Sequence, residues 1–366
     1  MRLVVDLRRA FDSGLGTYVQ QVVPGTLQQL GNSPVTGLVL PGTEARHRVY
    51  LGDRPIELAV CTAAPLSAGE QLALRRLVPG DAVFWATSLA HALWAQGTLV
   101  ATVHDVAQLA LPGAAGGSSF VKLASKLYFA HLRRRAKLLL FNSHFTAAEF
   151  TRLVGASVGR QVVTPLGVDC RHWQPAMSAE PRPRQTPYLL FVGNLRPHKN
   201  LPVLLRAFEA LRLGQRLDLV LVGQTDGFRT SAGAVLHGLQ AQWPGVHHLG
   251  PLSDPELRHL MRHAEALVMP SLYEGFGLPA LEAMASGCPV IAAQAGALPE
   301  VCGDAALYFP PTDVDALRQR IQDVAAWTPE QRRAHCSRAL RHAAAHAWGN
   351  TVALTAAALR PLLQPQ

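Results

Sequence analysis

Cysteine, lysine and charge are all in short supply in this chain. Its five cysteines (Cys61, Cys170, Cys288, Cys302 and Cys336) form no C-x-x-C and no Cys/His ligand spacing. An odd, scattered set excludes a disulfide framework and fits reduced thiols. Charged residues make up only 16% of the chain against 49% apolar, which excludes a disordered polyelectrolyte and suits a buried α/β protein. No window approaches the roughly 18 uncharged apolar residues of a membrane-spanning helix. The opening residues MRLVVDLRRAFD lack an apolar signal core and cleavage site, so a soluble, cytoplasmic protein is expected. No loop carries an Asp-x-Asp, and the tandem His247-His248 has no third ligand at suitable spacing, so neither a metal nor a cofactor is expected. Lysine is the sharpest scarcity: 4 Lys stand against 30 Arg, and Lys199 is the only one after residue 137. A compact ammonium kept at one loop–helix junction suits a site that needs a point charge rather than a planar fork.

What is present begins with length. A chain of 366 residues exceeds what one core usually serves, so two domains are the default. The net charge of +9 is uneven: residues 1–170 hold 16 basic and 10 acidic side chains, residues 171–366 hold 18 and 15. Anionic partners are therefore in scope: a phosphorylated substrate, an anionic lipid surface or nucleic acid. No DNA- or RNA-binding motif accompanies the charge, which argues against nucleic acid. Between Phe120 and Lys137, Lys122, Lys126, Arg133, Arg134, Arg135 and Lys137 interleave with large apolar residues at helical spacing. Such a stretch is most often a helix with a buried face, and it also fits peripheral contact with an anionic membrane.

Short apolar runs alternate with helical or loop segments throughout. They lie at Arg2–Leu7, Val35–Leu40, Ile56–Cys61, Ala82–Ala86, Leu99–Val103, Leu138–Phe141 and Gln161–Thr164, the pattern of a doubly wound parallel sheet. After the first run, a turn containing Gly14 and Gly16 is expected to precede a helix reaching Leu30, a geometry that can approach an anion. Trp173 to Pro187 is rich in proline and polar residues and reads as a linker. The strand pattern restarts at Tyr188, continues at Leu217–Val222, Val246–Ser253, Ala266–Met269, Pro289–Ala293 and Ala306–Phe309, and ends in helical patterns at Asp313–Ala325 and Thr351–Leu363. Asp254 is expected to cap a helix with Pro255 at its first position.

The most informative stretch is Pro270–Val290, PSLYEGFGLPALEAMASGCPV. An apolar strand ends at Pro270-Ser271, a Gly-rich turn follows, and Leu278–Ser286 reads as a helix closed by Gly287. Phosphate would sit on the Phe276, Gly277 and Leu278 amides. Glu274 in the loop and Glu282 one turn into the helix are then left to hold neutral hydroxyls. As a lone pattern this is an ordinary strand–helix connection. The whole string, Glu274-Gly-Phe-Gly-Leu-Pro279 with Glu282-Ala-Met-Ala-Ser-Gly287, resembles the E-x7-E signature of retaining GT-B glycosyltransferases of family 4, the group 1 enzymes that include bacterial mannosyltransferases.

The resemblance is dense from Tyr188 to about Leu317 and thinner before it, where it rests on the Gly14/Gly16 segment, Thr102-Val103-His104-Asp105 and Asn142-Ser143. It implies a GT-B fold: two Rossmann-like doubly wound domains facing a central cleft. Residues 1–172 would bind acceptor, 173–187 link, 188–345 bind the nucleotide-sugar donor, and 346–366 cross back to the first domain. It implies transfer of a sugar with retention, without metal, the donor being a co-substrate and no cofactor being needed. By resemblance His104, Glu274, Lys199 and Arg196 are catalytic, with Asp105 beside His104. Gly14, Gly16, Gly193, Asn194, Pro251, Leu252, Phe276, Gly277, Leu278 and Glu282 bind donor. Asn194 stands where the family usually has arginine, and Arg196 follows two places on, which leaves open which arginine completes the phosphate site. The Val-Gly-Asn-Leu loop followed by His-Lys-Asn is similar to bacterial mannosyltransferases, so GDP-mannose is the expected donor and a glycan or polyprenyl-linked glycan the expected acceptor. A sugar-nucleotide epimerase, a glycogen-type synthase and a non-catalytic nucleotide-sugar binder share the same architecture.

Overall fold

The computed structural model describes residues 1–366 except 64–66, 89–92, 95, 112–118, 176–179, 213–216, 225–244 and 365–366; for Ser13, 119–122 and Arg212 it describes the backbone alone. The chain forms two compact units. One is built from Met1–Ala110, Ser119–Leu166 and Trp348–Gln366, the other mainly from Gly167–Ala347.

The first unit holds seven parallel strands: β1 (Leu3–Asp6), β2 (Val35–Val39), β3 (Glu57–Val60), β4 (Val83–Ala86), β5 (Thr98–Val103), β6 (Ala136–Phe141) and β7 (Arg160–Val163). Their order is β3-β2-β1-β4-β5-β6-β7. The inner strands β1 and β4 are buried at every position, as expected where helices cover both faces of a parallel sheet, whereas the edge strands β3 and β7 are partly exposed. The helix Trp348–Leu363 belongs to this unit and packs on the helix Ser13–Gln29. Thr351 Oγ1 donates to the Pro165 carbonyl at 2.5 Å, Arg360 to Gln29 O at 3.0 Å, and the terminal amine to Leu363 O at 3.1 Å.

The second unit holds β8 (Tyr188–Val192), β9 (Asp218–Val222), β10 (Val246–His248), β11 (Ala266–Met269), β12 (Val290–Ala293) and β13 (Leu307–Phe309), all parallel in the order β10-β9-β8-β11-β12-β13. Both sheets therefore run outward in one direction from their first strand and then reverse, so β8 and β11 flank the reversal in the second. In sheets of this kind ligands gather at the carboxyl ends of those two strands. The core of this unit joins Leu189, Phe191, Leu219, Leu221, Ile291 and Phe309 of the sheet to Val203, Leu204 and Phe208 of the helix Leu201–Arg212 and Leu317 and Ile321 of the helix Val314–Ala325.

Some local expectations are corrected. Gly14 and Gly16 do not form a turn ahead of a helix; they lie within its first residues, because the helix already starts at Ser13 with Asp12 as its extended N-cap. Gly16 is needed there because a Cβ would come within 2.5 Å of the Ala10 carbonyl oxygen, while the space at Gly14 is open. β10 stops at His248 instead of reaching Ser253, since Gly250 takes a φ of 70° and turns the chain. Ser253, not Asp254, caps the helix Asp254–His263 through a reciprocal box with Glu256. The stretch 173–187 is pinned to its own unit at several described points: Arg262 Nε donates to Gln174 O at 2.7 Å, Arg184 pairs with Asp218 at 3.1 Å, and Trp173 is buried. Among the described residues, no helix is long and apolar enough to cross a membrane.

Candidate active site

The loops after β8 and β11 meet where the strand order reverses. Past β8, Gly193 opens a loop through Asn194, Leu195 and Arg196 into a single 3-10 turn, Pro197–Lys199. Asn200 closes that turn in the left-handed conformation (φ 54°), and its side-chain amide donates to Pro270 O at 3.1 Å and to Pro311 O at 2.7 Å. Leu272 N–H donates to His198 O at 2.8 Å. These cross-links bring Lys199 Nζ to 2.7 Å from Glu274 Oε1, an ion pair in which both side chains remain partly accessible. Ser271, fully buried at the end of β11, donates its hydroxyl to the same Glu274 oxygen at 2.6 Å.

The Glu274 loop is held from behind as well. Ala297 N–H donates to Glu274 O at 2.9 Å, and a Cβ on Gly296 (φ 61°) would lie 2.5 Å from Glu274 N. Gly277 (φ 103°) is the N-cap of the helix Leu278–Ala285, and a Cβ there would strike Leu298. No hydrogen bond runs from the Phe276, Gly277 or Leu278 amide to another described residue, and the positive end of the helix macrodipole adds to their pull on an anion. Phe276 itself is buried, so the loop presents backbone rather than its ring.

On the other side of β8 the loops are layered. Gly223 N–H donates to Gly250 O at 2.9 Å, Leu195 N–H to Gln224 O at 2.9 Å, and a Cβ on Gly223 would lie 2.2 Å from Gly193 O. Backbone from the ends of β8, β9 and β10 is thus stacked, with Pro251 exposed and Leu252 half-buried just beyond Gly250. Asn194 contributes its carbonyl to Arg196 N–H at 2.7 Å. The Arg196 side chain is exposed and makes no ion pair among the described residues.

Glu282 is partly accessible yet surrounded by protein. Burial, and after it the negative charge of Asp254 at the start of the helix Asp254–His263, pushes its carboxyl up to about 8. Near neutral pH this favours the uncharged acid, which can both donate to and accept from neighbouring hydroxyls.

His104, Gly14 and Gly16 belong to the other unit. His104 follows β5 and is held on three sides. Its Nε2 donates to Thr87 O at 2.9 Å, its ring stands edge-on to Tyr18 at 4.7 Å, and its carbonyl accepts from Asn142 Nδ2 at 2.8 Å. Burial lowers its pKa, which keeps the imidazole neutral. Asp105 Oδ1 accepts from Ala107 N–H at 3.0 Å and so starts a short helix. His247 and His248 are tied to Asp218 and to Gly223 O, at 3.1 and 2.8 Å, as structural side chains. The one Asp-x-Asp, Asp313-Val314-Asp315, opens a helix: Asp313 caps Ala316 N–H and Asp315 pairs with Arg318.

Residues 175–342 match the family described as Glycosyl transferases group 1. Over 350 residues the chain is 30% identical to D-inositol 3-phosphate glycosyltransferase of Actinosynnema mirum, a match covering 87% of this chain and 82% of that protein. The chain belongs to the group 1 glycosyltransferases. This group 1 chain is also 36% identical over 198 residues to O-antigen chain mannosyltransferase B of Escherichia coli, and it spans about half of that relative's length, 51% of each being covered. In fold it is similar to Anabaena HepE in complex with UDP and glucose, with a TM-score of 0.77 at 18% identity over 99% of this chain and 100% of that one. The architecture is GT-B, with two Rossmann-like units.

Three residues of this group 1 site escaped the sequence reading: Ser271, Asn200 and Gly296. Ser271 carries no motif of its own, because its role, like that of Gly296 at the start of a loop similar to the family's, arises from what the fold lays against Glu274. Asn200 left a trace, since an asparagine directly after a short polar turn is a usual left-handed closer.

Proposed function

We propose that the protein is a retaining, metal-independent glycosyltransferase that carries a sugar from a nucleoside diphosphate to a glycan or polyprenyl-linked glycan during bacterial surface polysaccharide synthesis. Mannose from GDP-mannose is the leading donor. The observation that carries the reading is the Lys199–Glu274 pair at the reversal of strand order, beside the N-terminal amides of the helix Leu278–Ala285. That set offers one cation, one carboxylate and a cluster of backbone donors within a pair of cross-linked loops. It suits a ligand that is anionic at one end and a polyol at the other. The similarity to O-antigen chain mannosyltransferase B supports the choice of sugar.

In this reading the acceptor hydroxyl attacks the anomeric carbon on the face from which the diphosphate departs. The new C–O bond forms as the bond to phosphate breaks, and the hydroxyl proton passes to a phosphate oxygen. Lys199 and the Phe276–Leu278 amides take up the charge that develops on the leaving group, with Arg196 free to fold onto it. Glu274 orients Lys199 and sugar hydroxyls, Glu282 holds the ribose, and neutral His104 stabilises positive charge on the sugar ring. Gly193, Asn194, Pro251 and Leu252 line the nucleotide. A further part of the reading is peripheral contact with an anionic membrane through residues 120–137. Leu123 and Leu127, one turn apart on the helix Ser119–Arg135, are 56% and 63% exposed beside Lys126.

A thermal-shift panel of GDP-, UDP-, ADP- and dTDP-sugars tests donor choice, since a ligand bound only by the folded state raises apparent stability. GDP-mannose is expected to give the largest shift, and Glu282→Ala to reduce it. A panel without response, or a shift unaltered in E282A, would remove the donor assignment. NMR of the product is expected to show the donor's anomeric configuration; inversion would sink the mechanism. Partition onto anionic vesicles is expected to fall in the Leu123→Glu, Leu127→Glu double variant.

A further inference from the structure

The helix Asp254–His263 carries His259 and His263, four residues apart and therefore on one face. Glu180, from the stretch ahead of β8, lies against that face. Its Oε1 is 2.8 Å from His259 Nδ1 and its Oε2 is 3.9 Å from His263 Nε2, and the two imidazole rings are 5.1 Å apart. One ligand atom from each of the three residues lies within 4.8 Å of the others. A second observation concerns His263 alone. Its side chain is only 9% exposed, and its buried Nε2 faces Glu180 without a hydrogen bond to any described residue. A buried ring nitrogen with nothing to bond, turned toward a carboxylate and a second imidazole, is arranged as a ligand atom is.

We propose that Glu180, His259 and His263 form a binding site for one divalent transition-metal ion, with Zn2+ the best match. The site shares no residue with the loops that carry Lys199 and Glu274. Two imidazole nitrogens with one carboxylate oxygen suit zinc and its neighbours, whereas calcium and magnesium want oxygen alone. Bonds of about 2.0–2.2 Å set tetrahedral ligand atoms roughly 3.3 Å apart. The 2.8 and 3.9 Å separations straddle that value, so small side-chain rotations complete the tripod and leave a fourth position for water.

Arg262 is the competitor: its Nη1 lies 3.3 Å from both Glu180 oxygens while its Nε is held by Gln174 O. The ion would join two parts of the chain 79 residues apart and fasten the approach to β8 onto this helix.

The test is calorimetric titration of Zn2+ into the full chain after chelator treatment. One equivalent is expected to bind, and the thermal midpoint is expected to rise with it. His259→Ala and His263→Ala should each weaken binding at least tenfold with circular dichroism unchanged. His342→Ala should not, although His342 and His346 have the same spacing at the end and C-cap of the helix Pro329–Ala345. Arg262→Gln, which frees Glu180, should tighten binding several-fold. No zinc binding by the parent, parental affinity in folded H259A and H263A, or weaker binding in folded R262Q would each overturn the site.

Discussion

Each unit places a cation just past the first strand of its sheet, and the two cations have opposite surroundings. In the first unit Arg8 forks onto both oxygens of Asp6 at 2.8 Å and meets Glu70 at 2.5 Å, with all three side chains buried. Burial works against the Arg8 charge, but the two carboxylates outweigh it and raise its pKa. In the second unit Lys199 meets Glu274 alone among the described residues, and the two side chains are 18% and 11% exposed. The same topology thus supplies a closed ion network in one place and an open ion pair in the other. A closed network has no bond left to offer and serves the fold. An open pair can exchange part of its bonding with an incoming phosphate, which is what a binding site needs.

Removing each cation is the direct way to break the comparison. Arg8→Ala leaves Asp6 and Glu70 buried without a counter-charge and is expected to cost about 3–5 kcal/mol of stability, measured by denaturant unfolding of the first unit, with donor affinity of the folded protein unchanged. Lys199→Ala is expected to lower kcat/KM by about 10²–10³, roughly 2.7–4 kcal/mol in the transition state, with little change in thermal midpoint. Unfolding in K199A with a neutral R8A would reverse the two assignments.

Glu282 sharpens the contrast, because here burial acts on a lone acid. The folded chain keeps a proton on this carboxyl up to about pH 8, while the unfolded chain releases it near 4.5. The stability associated with that proton is fully present below about pH 4.5 and is lost as the pH rises toward 8. Glu282→Gln should remove this slope: the variant matches the parent at pH 4 and exceeds it at pH 8, read from denaturant midpoints at both pH values. The smallest effect is expected at Ser271. Ser271→Ala deletes one hydrogen bond to Glu274 and should cost roughly 1 kcal/mol, a few-fold in kcat/KM, without altering unfolding in the first unit.

Much of the fold was legible because its signals are local. Buried parallel strands read as unbroken apolar runs, so β4, β8 and β11 fall within a residue or so of their expected ends. The strand–loop–helix around Glu274 was legible for the same reason, down to Gly287, which closes the helix region with a φ of 73°. Errors arose where a glycine has two roles. Gly14 and Gly16 look like turn residues, but Gly16 is small because the helix start runs against the Ala10 carbonyl. Gly250 sits inside an apolar run and still turns the chain. His259 and His263 show helical ligand spacing in the sequence; Glu180, far away in a proline-rich stretch, does not announce itself as their neighbour.

The order of residues alone determined two parallel α/β units and the pair of acids about the turn at Gly277, since each rests on contacts between near neighbours or on burial written into apolar runs; the units part at Leu166/Gly167, ahead of the proline-rich stretch, which only packing decided. Tertiary structure decided which charge meets which. Lys199 and Glu274 are 75 residues apart and touch because the strand order reverses between β8 and β11. Arg8 and Glu70 are 62 apart and touch in the interior of the other unit, out of reach of water. A cation becomes structural or functional through its exposure and its number of partners, and both are properties of the packed chain.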